Sequence, residues 1–518
     1  MLRFHVFRDG VVPSEVDLSS AYLVGSDSMP IRGELTYVDG EVRCRKRSAG
    51  PAALTLMWEV RGFGTIMLDS VRLPERNQPY VLNVELARNR MMRLLQKRED
   101  WGLFDIPEAQ LVNQKFNEAR DLLIEAMENL EHPAIAARFA DRCLAIAVPM
   151  SEQTAAVHAE LLLHRRISTR AFQKNVFGAT ASPERSDEGY RRKLSAAGEF
   201  IYLPMTWKFM EPQQQSFNAA PMDNWVEYLR RNKLPIVAGP LVHFSELAIP
   251  DWLYIWEHDY ETVRGLLYEH IDRVVQRYGP CVAVWNVVSG LHVNSHFSFT
   301  FDQIMDLTRM AVGLVKKIIP NARTMLEITQ PWGEYYATNQ RSIPPMIYAE
   351  MAVQSGIPFD IFGVQLCFGS PRAGCWQRDL FQISSMLDRF AVLGKPVVVS
   401  AMSVPSVQTE KNIVAGVWRK AWNDQLQSKW TEALVNILLS KPFVEAVTWG
   451  DIIDADGAAN LGCGLLNADL SPKAAMQTWV AMRRAVMSVR QGTQKMPAEA
   501  PAAVTVPAVA KGAAGPVT

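Results

Sequence analysis

Between residues 177 and 487, short apolar runs of strand length alternate with longer segments of helical periodicity, and the alternation repeats eight times. The runs are Val176 to Ala179, Phe200 to Leu203, Ile236 to Ala238, Val282 to Val288, Thr324 to Ile328, Ile361 to Gln365, Val397 to Ser400 and Ala446 to Trp449. Such alternation predicts parallel strands joined by helical crossovers, the pattern of an α/β protein. Eight repeats fit a closed (β/α)8 TIM barrel enlarged by loop insertions. An open doubly wound sheet alternates in the same way, but no Gly-x-Gly-x-x-Gly or Walker loop follows any of these runs, which disfavours a nucleotide-binding sheet.

The chain ahead of this region reads differently. Residues 1–88 carry short strand-like runs, Leu2 to Arg8, Ala21 to Val24, Glu34 to Val38, Glu41 to Arg45, Leu54 to Val60 and Tyr80 to Leu86, separated by Gly, Pro, Asp and Asn turns. They predict a small β-sandwich-like domain. Residues 89–170 turn to helical spacing, as in Phe116, Leu122, Leu123, Ala126, Met127 and Leu130, and are expected to form a helical connector. From 490 to 518, prolines among Ala and Val without aromatics or periodicity predict a disordered tail.

Charge narrows the choice of partners. The 54 basic and 54 acidic residues cancel, so no long-range field draws nucleic acid or an anionic membrane, and neutral partners fit better. No apolar run reaches the length of a membrane span, and the first twenty residues are charged and lack the apolar stretch of a secretory signal. The six cysteines show neither paired nor zinc-ribbon spacing, which suits reduced thiols. A cytoplasmic protein without a cofactor or metal is the expectation.

Several motifs recur in order along the barrel region. Phe177-Gly178-Ala179 comes first, then Trp207-Lys208-Phe209 with Glu211-Pro212, then Trp285-Asn286-Val287-Val288-Ser289-Gly290. Phe359 to Gln365 and Val444 to Gly450 with Asp454 follow, and Gly464-Leu465-Leu466 runs on to Pro472-Lys473. Together they resemble glycoside hydrolase family 10, the xylanase-like (β/α)8 barrels. The resemblance implies an O-glycosyl hydrolase acting on a β-linked glycan such as xylan. It also implies an acid/base glutamate at the end of strand four and a nucleophilic glutamate at the end of strand seven.

Both positions are empty of carboxylate. The strand-four residue aligns with Gly290 and the strand-seven residue with Ala401. No Glu or Asp occurs from Val282 to Thr300, or between Lys395 and Thr409, so a shift of alignment restores neither. Lys208, Gln365 and Trp449 match positions that contact sugar in the family, and Trp285, Ser289 and Cys367 line the same strand ends. The combined expectation is a carbohydrate-binding or regulatory pseudoenzyme that has lost the retaining machinery, with a neutral oligo- or polysaccharide as partner.

Two alternatives stand beside it. One is an active hydrolase with relocated carboxylates, for which Glu246 and Asp454 are the first candidates and Glu327, Glu334 and Asp451 lie near other strand ends. The other is a scaffold that contacts protein. His243, His292, His296 and Cys367 are chemically suited to zinc, although their spacing is dispersed.

Overall fold

A computed structural model describes residues 1–104, 110–454 and 462–491. The N-terminal strands are β1 (Leu2–His5), β2 (Tyr22–Val24), β3 (Pro30–Ile31), β4 (Gly33–Val38), β5 (Glu41–Lys46), β6 (Ala53–Val60), β7 (Gly64–Asp69) and β8 (Tyr80–Val81). They form two four-stranded sheets, ordered β4-β5-β1-β8 and β3-β2-β6-β7. Strand β6 is buried along nearly its whole length. Its Leu54, Leu56 and Trp58 join Leu2, Phe4 and Val42 in one apolar core.

Two features differ from the sequence expectation. The run Tyr80 to Leu86 is a strand only to Val81, because α1 (Leu82–Asp100) starts at Leu82. Leu82, Leu86, Met91 and Leu94 recur near helical spacing and are all buried, so the helical period wins over the local strand propensity. Strand β7 was not anticipated, since Gly62 and Gly64 make its start read as a turn.

The connector is α1 with α2 (Gln110–Glu128) and α3 (Pro133–Ser168). Buried Ala136, Ala137, Ala140, Ala147 and Ala155 let α3 approach its neighbours closely. It packs against α1, α2 and the barrel helices Leu380–Ala391 and Asp424–Ser440.

The barrel strands are β9 (Phe177–Thr180), β10 (Phe200–Pro204), β11 (Ile236–Gly239), β12 (Val282–Ser289), β13 (Arg323–Ile328), β14 (Ile361–Cys367), β15 (Val397–Ser403) and β16 (Val444–Asp451). They close in the order β9 to β16, with every pair parallel and β16 returning to β9. The eight strands coincide with the eight apolar runs. The final helix spans Ala474–Gln491, and the segment expected to be a tail lies, from residue 492 on, outside the described residues. Among the described residues, no helix is long and apolar enough to cross a membrane.

Strand β7 is the open edge of its sheet, and an open edge leaves backbone groups to be satisfied. Barrel loops satisfy them. Met67 N donates to Gln377 O at 2.8 Å in the loop after β14, and Gln382 Nε2 donates to Met67 O at 2.9 Å. Val417 N, in the loop after β15, donates to Thr65 O at 2.9 Å. Buried ion pairs reinforce the junction: Arg90 meets Asp379 at 2.6 Å, and Arg378 holds Glu334 at 2.7 Å and the Tyr22 hydroxyl at 3.0 Å. Glu152 of α3 accepts from Leu380 N, Trp418 Nε1 and Arg419. The sheets are thus bonded to loops at the C-terminal end of the barrel.

Candidate functional site

Side chains alternate inward and outward along a barrel strand. Tyr202, Met325 and Ile361 form an enclosed cluster separate from the main core, the apolar plug inside the barrel. Above it the lining becomes polar. Asn286 donates to the Tyr202 hydroxyl at 2.8 Å, while its Oδ1 has no partner. Glu327 lies two residues beyond Met325 on β13, and therefore on the same inward face.

Glu327 is 2 % exposed, and among the described residues no hydrogen bond or ion pair engages its carboxylate. Its neighbour across the ladder is Gly363. A Cβ at Gly363 would stand 3.1 Å from both Cβ and Cγ of Glu327, so the glycine makes room for the acid. A buried unpaired carboxylate is costly, and such groups concentrate at functional sites.

Gly290 follows β12 with φ 60 and ψ 16, in the left-handed region. Its N–H donates to Glu327 O at 3.1 Å. A Cβ there would lie 2.7 Å from Thr329 Oγ1 and 3.1 Å from its methyl carbon. The strand end is therefore shaped around glycine. Ser289, just before it, is buried, and its carbonyl accepts from His243 Nδ1 at 2.9 Å. Burial lowers the His243 pKa, opposed by this hydrogen bond and by Glu327; because a carbonyl can only accept, the contact puts a proton on Nδ1. Ala401 sits opposite Gln365 in the β14–β15 ladder. Cys367 is opposite Ser403 one step further out, and burial raises its thiol first, with Asp451 and Glu327 adding to the effect.

The other anticipated residues divide sharply. Lys208 is half-exposed on the rim, bonded to Asp251 at 2.6 Å and to the Glu246 carbonyl at 3.3 Å. The Asp251 hydrogen bond raises its pKa. The Glu246 side chain is exposed on the same loop. Asp454 corrects the expectation that it replaces a lost catalyst: it is buried, bound to Lys473 at 2.7 Å, and accepts from Gly464 N at 2.8 Å. Its lone pairs hold a loop together. Glu334 is likewise committed to Arg378.

Trp449 and Trp285 also depart from a sugar-contacting role, because neither has a face to offer. Trp449 is 0 % exposed, donates to Cys463 O at 3.1 Å and packs edge-on against Trp479. Trp285 is 1 % exposed, on the opposite face of β12 from Asn286. His292 is enclosed, with Nδ1 at 2.7 Å from the Tyr335 hydroxyl, and burial lowers it to about 3. His296 meets the Tyr254 hydroxyl at 3.2 Å. Among the described residues, no group of three His, Cys, Asp or Glu is arranged to hold a metal ion.

Asp451 ends β16 opposite Thr180 of β9. Its side chain reaches solvent, yet the crowding protein raises its carboxyl, and Glu184 adds to the effect while Arg372 opposes it. Glu327 and Asp451 thus stand on β13 and β16, not at the ends of β12 and β15 where the motifs would place the family's acids. One signal for Glu327 was present in the sequence: it is the lone charge in the otherwise apolar run Met325 to Ile328.

Residues 173–482 match the sequence model of Glycosyl hydrolase family 10, more than half of the chain. The chain belongs to this family. Among curated relatives, Endo-1,4-beta-xylanase 1 of Humicola insolens is 28% identical over 233 residues, covering 42% of this chain and 51% of the relative. Endo-1,4-beta-xylanase 1 of Gibberella zeae is 28% identical over 124 residues, covering 23% of this chain and 34% of the relative. The family 10 chain thus spans about half, or less, of the length of these relatives. Among solved structures, native xylanase 10B from Thermotoga maritima aligns with a TM-score of 0.47 and 17% identity, over 63% of this chain and 98% of that one.

Proposed function

We propose that this family 10 barrel binds a neutral β-linked saccharide of the xylan type in its mouth, as a carbohydrate-binding or regulatory protein, without the double displacement of its family. A retaining glycosidase needs two carboxyl groups about 5 to 5.5 Å apart, one as acid/base and one as nucleophile. The observation that carries the reading is the backbone at Gly290, held at φ 60 with Thr329 in the space a side chain would need. Loss of a general acid alone costs on the order of 10² to 10⁴ in rate. Ala401 has no oxygen with which to form a glycosyl ester. Ser289, Gln365 and Cys367 keep polar groups along the mouth, and the xylanase names of the curated relatives point to xylo-oligosaccharides as first ligands to test.

Calorimetric titration with xylo-oligosaccharides is expected to give saturable binding, and incubation with a 2-fluoro-xyloside is expected to leave the protein mass unchanged. A covalent adduct would mean that a nucleophile survives. Absence of any saccharide binding would favour a protein-contacting scaffold instead.

A further inference from the structure

We propose that Glu327 anchors the ligand in the mouth: its carboxylate accepts hydrogen bonds from two adjacent hydroxyls of the bound saccharide and so selects sugars that carry the pair. The proposal rests on the saccharide-binding reading and names the residue that gives it specificity. In an eight-stranded barrel the strands tilt, so a level moves up by about one residue per strand, and each layer of inward side chains comes from alternate strands. One contact fixes that step here. The ladders run from Tyr202 to Val237 and on to Val284, yet Tyr202 is hydrogen-bonded to Asn286, two residues beyond Val284 on β12.

The same step identifies the layer of Glu327. Glu327 faces Gly363 on β14, and Gln365, two residues further on, faces Ala401 on β15. Ala401 is therefore level with Glu327. In the other direction Met325 faces Asn286, and Asn286 lies against Gly239, where an added Cβ would stand 3.0 Å from the Asn286 Cβ. Gly239 is level as well, and Thr180 of β9, which faces Tyr202, completes the layer. Glycine, alanine and threonine leave its centre open, and Glu327 is its one long side chain. The layer lacks a carboxylate at Ala401, the position of the family's nucleophile, and carries one on β13 instead.

A carboxylate is costly to enclose without donors. Glu327 is 2 % exposed, among the described residues no hydrogen bond or ion pair reaches its oxygens, and neither oxygen is sealed from solvent. Thr180 and Ala401 in the same layer are partly exposed, so the layer opens to the mouth. Gly363 fits closely against the Glu327 stem, since a Cβ there would stand 3.1 Å from both its Cβ and its Cγ. The stem is held and the oxygens are free, as preorganised recognition requires. An ionised carboxylate only accepts hydrogen bonds, and neighbouring hydroxyls of a pyranose ring can each donate one to its two oxygens. Such charge-assisted bonds are roughly twice as strong as neutral ones. Gly290 offers no proton to a leaving oxygen, which makes the role of Glu327 recognition and not turnover.

The deciding experiment is calorimetric titration of the full chain with xylotriose and with its monodeoxy analogues, repeated on Glu327→Gln and Glu327→Leu after folding is checked by circular dichroism. The wild type is expected to bind xylotriose saturably, with affinity weakened by about tenfold or more on loss of either of two adjacent hydroxyls. Each variant is expected to bind xylotriose about tenfold or more weakly than the wild type. In Glu327→Leu, loss of those two hydroxyls should cost no further affinity, a coupling that a structural role would not produce. Variants that bind xylotriose and every analogue as the wild type does would overturn the anchor and leave the saccharide-binding reading intact. So would deoxy analogues that all bind the wild type as well as xylotriose does, or unfolding of both variants, which would assign Glu327 to the fold. No saccharide binding by the wild type would sink that reading together with the anchor.

Discussion

At Gly290 the backbone itself is suited to glycine, with φ 60 and ψ 16. A left-handed residue is cheap for glycine and costs other residues about 1 kcal/mol or more, and the Thr329 side chain adds a steric term. The double variant Gly290→Glu with Ala401→Glu is therefore expected to remain unable to form a covalent glycosyl intermediate, as read by 2-fluoro-xyloside trapping. Recovery of trapping would show that the strand end relaxes easily. Asp454 offers the opposite case, a carboxylate retained for structure. Its partner Lys473 is 2 % exposed and would be left as an uncompensated buried charge. Asp454→Ala should lower the unfolding free energy by about 3 to 5 kcal/mol in urea titrations, with little change in saccharide affinity for the folded fraction.

Among the elements, the barrel strands were the most legible in sequence, because each is an apolar run bounded by turn residues and flanked by amphipathic helices. Strand β7 was not legible: it pairs with β6 through the tight turn at Gly62, whose glycines read as loop, and its outer edge is completed by the loop backbones of Gln377 and Val417, more than 300 residues away. No local pattern encodes that outer-edge pairing. The site was half legible. That Gly290 and Ala401 carry no carboxylate is plain in the sequence, whereas the surroundings of Trp449, Glu246 and Asp454 depended on which neighbours the fold supplied. The β7 junction itself is testable. A Cβ at Gly416 would lie 2.4 Å from Thr65 O, and φ there is 90. Gly416→Ala should loosen the contact, seen as faster amide hydrogen exchange at Val417 and Met67, the two donors across the junction, while barrel-strand amides keep their protection.

The whole molecule is expected to be sensitive to acid through its buried imidazoles. Burial lowers His270 and His292 to about 3 and His158 to about 4, with Arg273, His243 and Lys441 respectively adding to the shift. Unfolded, each would bind a proton near pH 6.5. The unfolded state therefore binds more protons below that pH, so the stability these groups contribute is complete above about 6.5 and is lost as pH falls toward their folded values. Each can remove up to about 1.4 kcal/mol per pH unit in that window. Urea midpoints measured from pH 7 to pH 4.5 should fall steadily, and His270→Phe, which keeps the stacking on Trp207, should flatten the slope.

The docking of β7 onto the loops after β14 and β15 also divides the rim of the mouth into two kinds of wall. On that flank the backbone is already ordered by hydrogen bonds to another sheet, so a ligand pressing against it demands no further loss of freedom. On the far flank, where Leu247 and Ile255 stand 83 % and 79 % exposed, the loop after β11 is tied only to neighbouring barrel loops, by Lys208 N to Ala248 O at 2.9 Å and Trp252 Nε1 to Glu211 O at 3.0 Å. For the proposed saccharide, ordering the exposed stretch around Leu247 and Ile255 would add an entropic cost, and changes there would tune affinity without disturbing the flank already bonded to β7.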